Sequence, residues 1–303
     1  MKRQKKRHYL DISEGTNVLF NIILIILSIL AVVPFIFVVI ISFSDEASIV
    51  SKGYSFVPER WSLYAYKYIL ENGADILHSY GISLIITIVG TLIGLALIAT
   101  YAYVISRSTY PYKNFFTIVA LIPMLFSGGL VGNYLVVARL LNLKNSIWVL
   151  ILPLAMSPFY VFVLKSFYRT SIPDAIIESA RIDGASELRT FLSIVLPISK
   201  AGLATIGLFL TLGYWNDWYN AMLYIDEQAL IPIQYMLIRI ENNINFLSQL
   251  SSQQGIVSEV TRNLPSETVR MAIVVLTVTP IACVYPFFQK YFVGGLTLGA
   301  VKE

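Results

Sequence analysis

Charged residues are scarce in this chain. Asp, Glu, Lys and Arg make up 13% of its 303 residues, whereas 56% are hydrophobic and the mean hydropathy is +0.70. A soluble domain needs charged groups to meet water, and about 25% of its residues usually carry charge. The composition therefore excludes an ordinary soluble domain and predicts an integral membrane protein.

Cysteine and histidine are nearly absent. Cys283 is the single cysteine, which excludes an intrachain disulfide, and the only histidines are His8 and His78. These residues cannot assemble a Cys/His metal cluster, so we predict no metal site. D-x-D and H-E-x-x-H patterns are also missing, which argues against a membrane-embedded enzyme.

No glycine is followed by lysine anywhere in the sequence. A phosphate-binding loop of the type G-x-x-x-x-G-K-[ST] requires that pair, because its lysine reaches the nucleotide phosphates. The chain therefore lacks this nucleotide-binding loop, and we expect that it is not an enzyme.

Long uncharged runs, in contrast, are plentiful. A membrane-spanning helix needs about 20 apolar residues, and six runs reach or approach that length. The first run lacks a convincing small-residue cleavage site and is too long for a signal peptide. We predict an all-α membrane protein, one domain over 1–303, with spans near 18–43, 79–104, 114–137, 146–167, 200–222 and 269–289.

The basic residues indicate orientation. The formal net charge is +4 and the pI about 9.0, with five Lys and Arg before the first span and others in two loops on the same side. This distribution follows the positive-inside rule and does not resemble a nucleic-acid surface, so we expect no nucleic-acid partner. Six spans then place both termini in the cytoplasm.

Proline and glycine mark special points within these runs. Gly90 and Gly94 form a G-x-x-x-G pair, which allows close helix packing. Prolines remove helix hydrogen bonds, and six lie in or near the spans: Pro34, Pro123, Pro153, Pro158, Pro280 and Pro286.

The loop 168–199, between the fourth and fifth spans, is predicted to form two short helices joined by a turn. Pro173 suits the first turn of a helix and Asp174 its positive end, while Arg181 suits the negative end. Gly184 is a good helix-ending residue. We place this loop in the cytoplasm, because its basic content matches the N-terminal cluster.

The second of these helices is expected to begin after Ser186 as cap and to end at Pro197. On the first helix, Ile176, Ile177 and Ala180 are predicted to share one apolar face. Such a helix can lie on the bilayer surface or dock into a partner, and periodicity alone does not choose between them.

The residue pattern favours docking. Glu178-Ser179-Ala180, then Gly184, then Ile194-Val195-Leu196-Pro197 resembles the "EAA" signature of permeases of binding-protein-dependent ATP-driven importers. With Trp215-Asn216-Asp217-Trp218 downstream, the chain is similar to the carbohydrate-uptake group that includes maltose-type permeases. Two departures are Ser179, where alanine is usual, and Ala201, where proline is frequent.

The resemblance implies a subunit of a larger complex in the bacterial cytoplasmic membrane. Its partners would be a second permease subunit, an ATPase dimer that binds ATP and Mg, and an extracytoplasmic solute-binding protein, with a carbohydrate as substrate. It also implies that the loop is a coupling helix held by the ATPase. The coupling residues would be Glu178, Ser179, Ala180, Asp183 and Gly184.

Aromatic and hydrogen-bonding residues cluster at the outer end of the fifth span. Such a mixture suits a sugar, which has apolar faces and hydroxyls. The predicted solute-path residues are Trp215, Asn216, Asp217, Trp218 and Tyr219. An interfacial aromatic belt explains the rings equally well, and a helix-end cap or an intersubunit pair explains Asp217.

Other functions stay open at this point. An importer of the same class could carry a solute other than sugar. A secondary transporter would need an ionisable residue near the middle of a span, and only Asp217 comes close to that position.

Overall fold

The computed structural model describes residues 13–254 and 267–300. Within these residues the protein is almost entirely helical, with one isolated β-bridge between Ser44 and Trp61. In chain order the helices are α1 (Glu14–Ser42), α2 (Glu46–Lys52), α3 (Tyr64–Asn72), α4 (Ala74–Ser106), α5 (Lys113–Leu125), α6 (Gly129–Leu135), α7 (Ile147–Ala155), α8 (Pro158–Ser171), α9 (Asp174–Ile182), α10 (Glu187–Thr190), α11 (Leu196–Ile198), α12 (Lys200–Trp215), α13 (Tyr219–Tyr224), α14 (Ile233–Gln254) and α15 (Glu267–Ala300). Two π-helical turns, Val136–Leu140 and Phe191–Val195, follow α6 and α10, and a 3₁₀ turn spans Gln228–Leu230.

The predicted all-α class is confirmed, whereas the helices match the predicted spans unequally. Among the described residues, three helices are long and apolar enough to cross a membrane: α1, α4 and the first part of α15. Two bent pairs pass the same test together, α7 with α8 at 45° and the helix 187–198 with α12 at 82°. The count is thus three, or up to five, and six spans remain a prediction.

Two predicted spans are interrupted. The run 114–137 forms α5 and then breaks at Phe126–Gly128 before α6, and Pro123 lies in the last turn of α5. The run 200–222 ends as a helix at Trp215 and resumes as α13 at Tyr219. Hydropathy alone cannot detect such breaks, because the residues on both sides of each break are apolar.

The described residues divide into two compact units, of which the first comprises 13–71 and 267–275. In this unit Glu46 of α2 binds the start of α15. Its carboxylate accepts hydrogen bonds from the backbone N–H groups of Glu267 and Thr268, at 3.1 and 3.0 Å, and from the Thr268 hydroxyl at 2.7 Å. A carboxylate is stabilising here because the helix N-terminus has unpaired N–H groups and a positive dipole end.

The second unit, which comprises the described residues 72–254 and 276–300, is built around α4. This helix packs against α7, α8 and α12, and its buried face includes Gly90 and Gly94. A Cβ at Gly90 would lie 2.5 Å from the Tyr214 ring, and one at Gly94 would lie 3.1 Å from the Ala155 carbonyl oxygen. The G-x-x-x-G pair therefore serves close helix packing, as its spacing predicts.

Candidate functional site

The loop 168–199 folds as two short helical segments joined by a tight turn. After α9, the N–H of Gly184 bonds the carbonyl of Arg181 at 3.1 Å, and the N–H of Ala185 bonds that of Ala180 at 2.9 Å. Gly184 has φ +77°, the left-handed conformation that this helix-ending motif requires. The prediction that Gly184 ends the first helix is confirmed.

The second segment begins where the sequence predicts. The Ser186 hydroxyl accepts a hydrogen bond of 3.3 Å from the backbone N–H of Arg189 and so caps α10. The helix continues through a π-helical turn to Ile198, one residue beyond Pro197. Pro173 differs slightly from expectation: it is the cap residue of α9, and Asp174 is the first helical residue.

The predicted apolar face of α9 needs a correction. Ile177 and Ala180 are buried, at 5% and 6% exposure, but Ile176 is 40% exposed and does not belong to that face. Ile176 and Ile177 point about 100° apart around the helix, with Ala180 between them, and the buried side of α9 extends only from Ile177 to Ala180. Ala180, a predicted coupling residue, packs inward on this chain.

The remaining predicted coupling residues face outward: Glu178, Ser179, Asp183 and Gly184 are all exposed. Two large apolar side chains are exposed beside them. Ile182, at the end of α9, is 85% exposed, and Leu188, in α10, is 66% exposed. We call this exposed surface, comprising Glu178, Ile182, Asp183, Gly184 and Leu188, the loop tip.

Polar contacts attach the loop to α4. The Tyr103 hydroxyl donates a 2.7 Å hydrogen bond to Glu187 Oε2, and Arg181 Nη2 donates one of 2.6 Å to Oε1. The hydrogen bond from Tyr103, and to a smaller extent the one from Arg181, holds the pKa of Glu187 below its usual range. Arg107, which directly follows α4, lies 3.7 Å from the Asp174 carboxylate. Neither Tyr103 nor Glu187 is singled out by the sequence pattern.

The predicted solute-path residues at the outer end of α12 differ in their exposure to solvent. Trp215 is 3% exposed, donates its indole N–H to the Thr277 carbonyl at 2.9 Å and packs edge-on against Tyr80. Trp218 and Tyr219 are 38% and 44% exposed and contact each other edge to face. Trp215 and Trp218 therefore do not present one common stacking face in this structure.

Asp217 and Asn216 lie in the irregular segment between α12 and α13. The Asp217 carboxylate accepts hydrogen bonds from the Asn220 backbone N–H at 3.2 Å and from its side-chain amide at 2.9 Å. These are the contacts of a helix-end cap, one of the two alternatives to solute contact. Asn216 is exposed and accepts a 3.3 Å hydrogen bond from Gln234.

Residues 109–297, which include both of these regions, match the family described as binding-protein-dependent transport system inner membrane component. The chain belongs to this family. The family is the one that the pattern from Glu178 to Pro197 resembles, so that identification is confirmed. The family description is that of a transport component of the membrane and not of an enzyme, in agreement with the catalytic motifs missing from the sequence.

Relatives within the family cover nearly the whole chain. It is 36% identical to Protein LplC of Bacillus subtilis (strain 168) over 275 residues, and this alignment covers 90% of each chain. It is 38% identical over 282 residues to the polygalacturonan/rhamnogalacturonan transport system permease protein YtcP of the same organism, covering 92% of this chain and 95% of that one. A chain of a bacterial ABC transporter involved in the import of the acidic polysaccharide alginate matches with a TM-score of 0.79 and 26% identity, covering 93% of this chain and 99% of that one.

Proposed function

We propose that this chain is one permease subunit of an ATP-driven importer for carbohydrate of oligosaccharide size. It forms the translocation path with a second permease subunit and is driven by a separate ATPase dimer, which binds ATP and Mg. Family membership over residues 109–297 supports this assignment, as do the carbohydrates named for the relatives. A solute-binding protein outside the membrane delivers the carbohydrate.

The loop tip is the observation that carries the coupling role. Two large apolar side chains exposed in water are costly unless a partner covers them, since burying each contributes about 1.5–3 kcal/mol. Ile182 and Leu188 stand on either side of the turn at Gly184, with the Glu178 carboxylate exposed nearby. Two apolar side chains beside a carboxylate would fit an apolar groove on the ATPase that also carries a basic residue.

The same proposal fixes a topology of six spans with both termini and the loop 168–199 in the cytoplasm. The interrupted runs α5 with α6, α7 with α8, and α12 with α13 each count as one span. Broken helices are tolerated in a membrane where protein covers the freed backbone groups. Labelling of Leu188→Cys, with Cys283 replaced by serine, tests the orientation; an impermeant reagent applied outside intact cells should leave it unlabelled.

Reconstitution tests the coupling role. The chain is assembled with its second permease, ATPase and binding protein, and solute-stimulated ATP hydrolysis is measured. Glu178→Ala and Gly184→Trp should lower the stimulation while the chain stays in the membrane. Lys67→Ala, in an exposed position of α3, is the control and should leave it unchanged. Full stimulation in both loop variants contradicts the assignment.

The solute class needs its own experiment, because the family also accommodates the alternative of a non-sugar solute. Neutral and acidic oligosaccharides, amino acids and short peptides are added in turn to the reconstituted complex. Stimulation of ATP hydrolysis by oligosaccharides alone supports the proposal. Stimulation only by a non-sugar panel member replaces the carbohydrate assignment and leaves the permease assignment intact.

A further inference from the structure

Arg107 occupies an unusual environment at the cytoplasmic end of α4, as oriented by the proposed topology. The residue is only 9% exposed, and its Nε atom is buried with no hydrogen-bond partner among the described protein atoms. The nearest carboxylate, that of Asp174, is 3.7 Å from Nη1, beyond hydrogen-bond distance. The Tyr103 ring lies 5.8 Å from the guanidinium carbon.

Such a group has an energetic cost. A buried guanidinium keeps its charge, because arginine is not deprotonated in proteins, and an unpaired buried donor loses its hydrogen bonds to water. Nearly all buried polar groups therefore have partners, and an exception needs an explanation. Asp174 is only a weak ionic partner for Arg107, because the Asp174 side chain is 73% exposed and water screens the pair.

A cavity of about 150 Å³ lies against the same side chain. Its lining is suited to an anion: two arginines, Arg107 and Arg169, face a single carboxylate, that of Asp174. Ser108 also lines the cavity and brings a hydroxyl group, whereas the hydroxyl of Ser106, another lining residue, donates to the Tyr103 carbonyl at 2.7 Å. The charge within the lining is thus positive, and the walls supply both ionic and neutral donors.

We propose that this cavity binds a phosphate-type oxyanion. The planar guanidinium of Arg107 presents Nε–H and one Nη–H along one edge, which matches two oxygens of a phosphate. Arg169 adds a second positive charge and Ser108 a hydroxyl. The ligand links the end of α4 to Arg169 at the end of α8, beside the start of α9. The same chemistry is offered by free inorganic phosphate and by the headgroup of an anionic lipid.

Thermal unfolding of the purified full-length chain in detergent tests the site without the phosphate-binding ATPase. Sodium phosphate is titrated against sodium chloride at equal ionic strength, because a ligand of the folded state raises the Tm saturably. The concentration for the half-maximal rise should increase about tenfold or more in Arg107→Gln, which loses a charge-assisted bidentate contact. Arg139→Gln, an exposed arginine outside the cavity lining, removes the same charge and should behave as the wild type.

Arg169→Gln and Ser108→Ala repeat the test at exposed positions, so that the proposal stays testable where Arg107→Gln does not fold. Both should weaken the phosphate effect. No phosphate effect beyond that of chloride, or an equal effect in the wild type and in all cavity variants, overturns the free-anion source.

Nanodiscs decide the lipid source. The wild type is compared in phosphatidylcholine alone and in equal parts of phosphatidylcholine and phosphatidylglycerol. A rise in Tm with phosphatidylglycerol that Arg169→Gln diminishes and Arg139→Gln retains assigns the site to a lipid headgroup. The absence of both the phosphate and the lipid effects means that the cavity holds water only, and the proposal is then wrong.

Discussion

Tyr103 and Glu187 join the central helix of the second unit to the loop 168–199 through a single 2.7 Å hydrogen bond. Tyr103 lies one turn before the end of α4, and Glu187 is the first residue of α10. Because α4 packs against α7, α8 and α12, this hydrogen bond connects the loop to the centre of the helix bundle. If the loop has the proposed coupling role, the pair is a place where that coupling can be tested.

Removing the Tyr103 hydroxyl should loosen this link. Tyr103→Phe keeps the ring, which packs on Phe191 at a centroid distance of 5.0 Å, and deletes only the donor. The loss should be about 1 kcal/mol, since a hydrogen bond to a charged group is strong but Glu187 is partly exposed to water. We expect lower solute-stimulated ATP hydrolysis at unchanged assembly of the complex. Tyr112→Phe, an exposed tyrosine after α4, is the matched control, and equal activity of the two variants contradicts the link.

Acid should weaken the same link. Hydrogen bonds from Tyr103 and Arg181 lower the pKa of Glu187, so its ionised form is favoured in the folded protein. The stabilisation is complete above the ordinary glutamate pKa of about 4.3 and is lost as the pH falls through the lowered pKa. Thermal unfolding of the chain between pH 7 and pH 3 measures this. The difference in Tm between the wild type and Glu187→Gln should be constant near neutrality and shrink below about pH 4; a difference that grows in acid contradicts the assignment.

The turn of the loop is readable from sequence because its determinants are local. Gly184 and Ser186 each act within one helical turn of their own position, through a left-handed backbone and a side-chain cap. Residue type alone specifies such features. The Tyr103–Glu187 bond joins residues 84 positions apart, and nothing in either neighbourhood marks them as partners.

The outer end of α12, in contrast, could not be predicted correctly from the sequence. The residues around Asp217 were predicted to continue one helix, yet the helix ends at Trp215. Tertiary contacts that no local pattern reports lie at this break: Trp215 donates to the Thr277 carbonyl of α15, and Asn216 accepts from Gln234 of α14.

The left-handed turn at Gly184 should resist substitution for conformational reasons alone. A Cβ there would meet nothing within 4 Å, so the cost arises from the φ of +77° and amounts to about 1–2 kcal/mol. Gly184→Ala should lower coupling, Gly184→Asn should lower it less because asparagine tolerates this conformation, and Gly132→Ala should have little effect. Gly132 also has open space around it but lies in helical backbone. Equal effects at both glycines, measured as solute-stimulated ATP hydrolysis, contradict this explanation.

Close packing at Gly90 gives a stability prediction. A methyl group at Gly90 would overlap the Tyr214 ring, which cannot withdraw freely because its hydroxyl donates a 2.8 Å hydrogen bond to the Ile151 carbonyl. Gly90→Ala should cost about 1–3 kcal/mol through overpacking and lower the Tm in detergent. Gly81→Ala, in the same helix with open space, should be neutral or slightly stabilising. In a double-mutant cycle, Gly90→Ala should cost less in a Tyr214→Ala background than in the wild type, and an equal cost in both backgrounds places the strain elsewhere.

The solute path at the outer end of α12 can be resolved by three substitutions. Trp218 is exposed and able to stack on a sugar ring, whereas Trp215 is buried and hydrogen-bonded, and Asp217 caps α13. Trp218→Ala should therefore raise the solute concentration for half-maximal uptake with assembly unchanged, because only stacking is lost. Trp215→Phe should lower the Tm and the amount of assembled complex, because a buried hydrogen bond is lost. Asp217→Asn should leave both the Tm and uptake nearly unchanged, because the asparagine carbonyl oxygen can still accept from the Asn220 backbone N–H. Uptake is measured at equal expression for all three. Normal uptake in Trp218→Ala assigns its ring to an interfacial aromatic belt, and a selective uptake defect in Asp217→Asn at unchanged Tm moves the solute contact to the carboxylate.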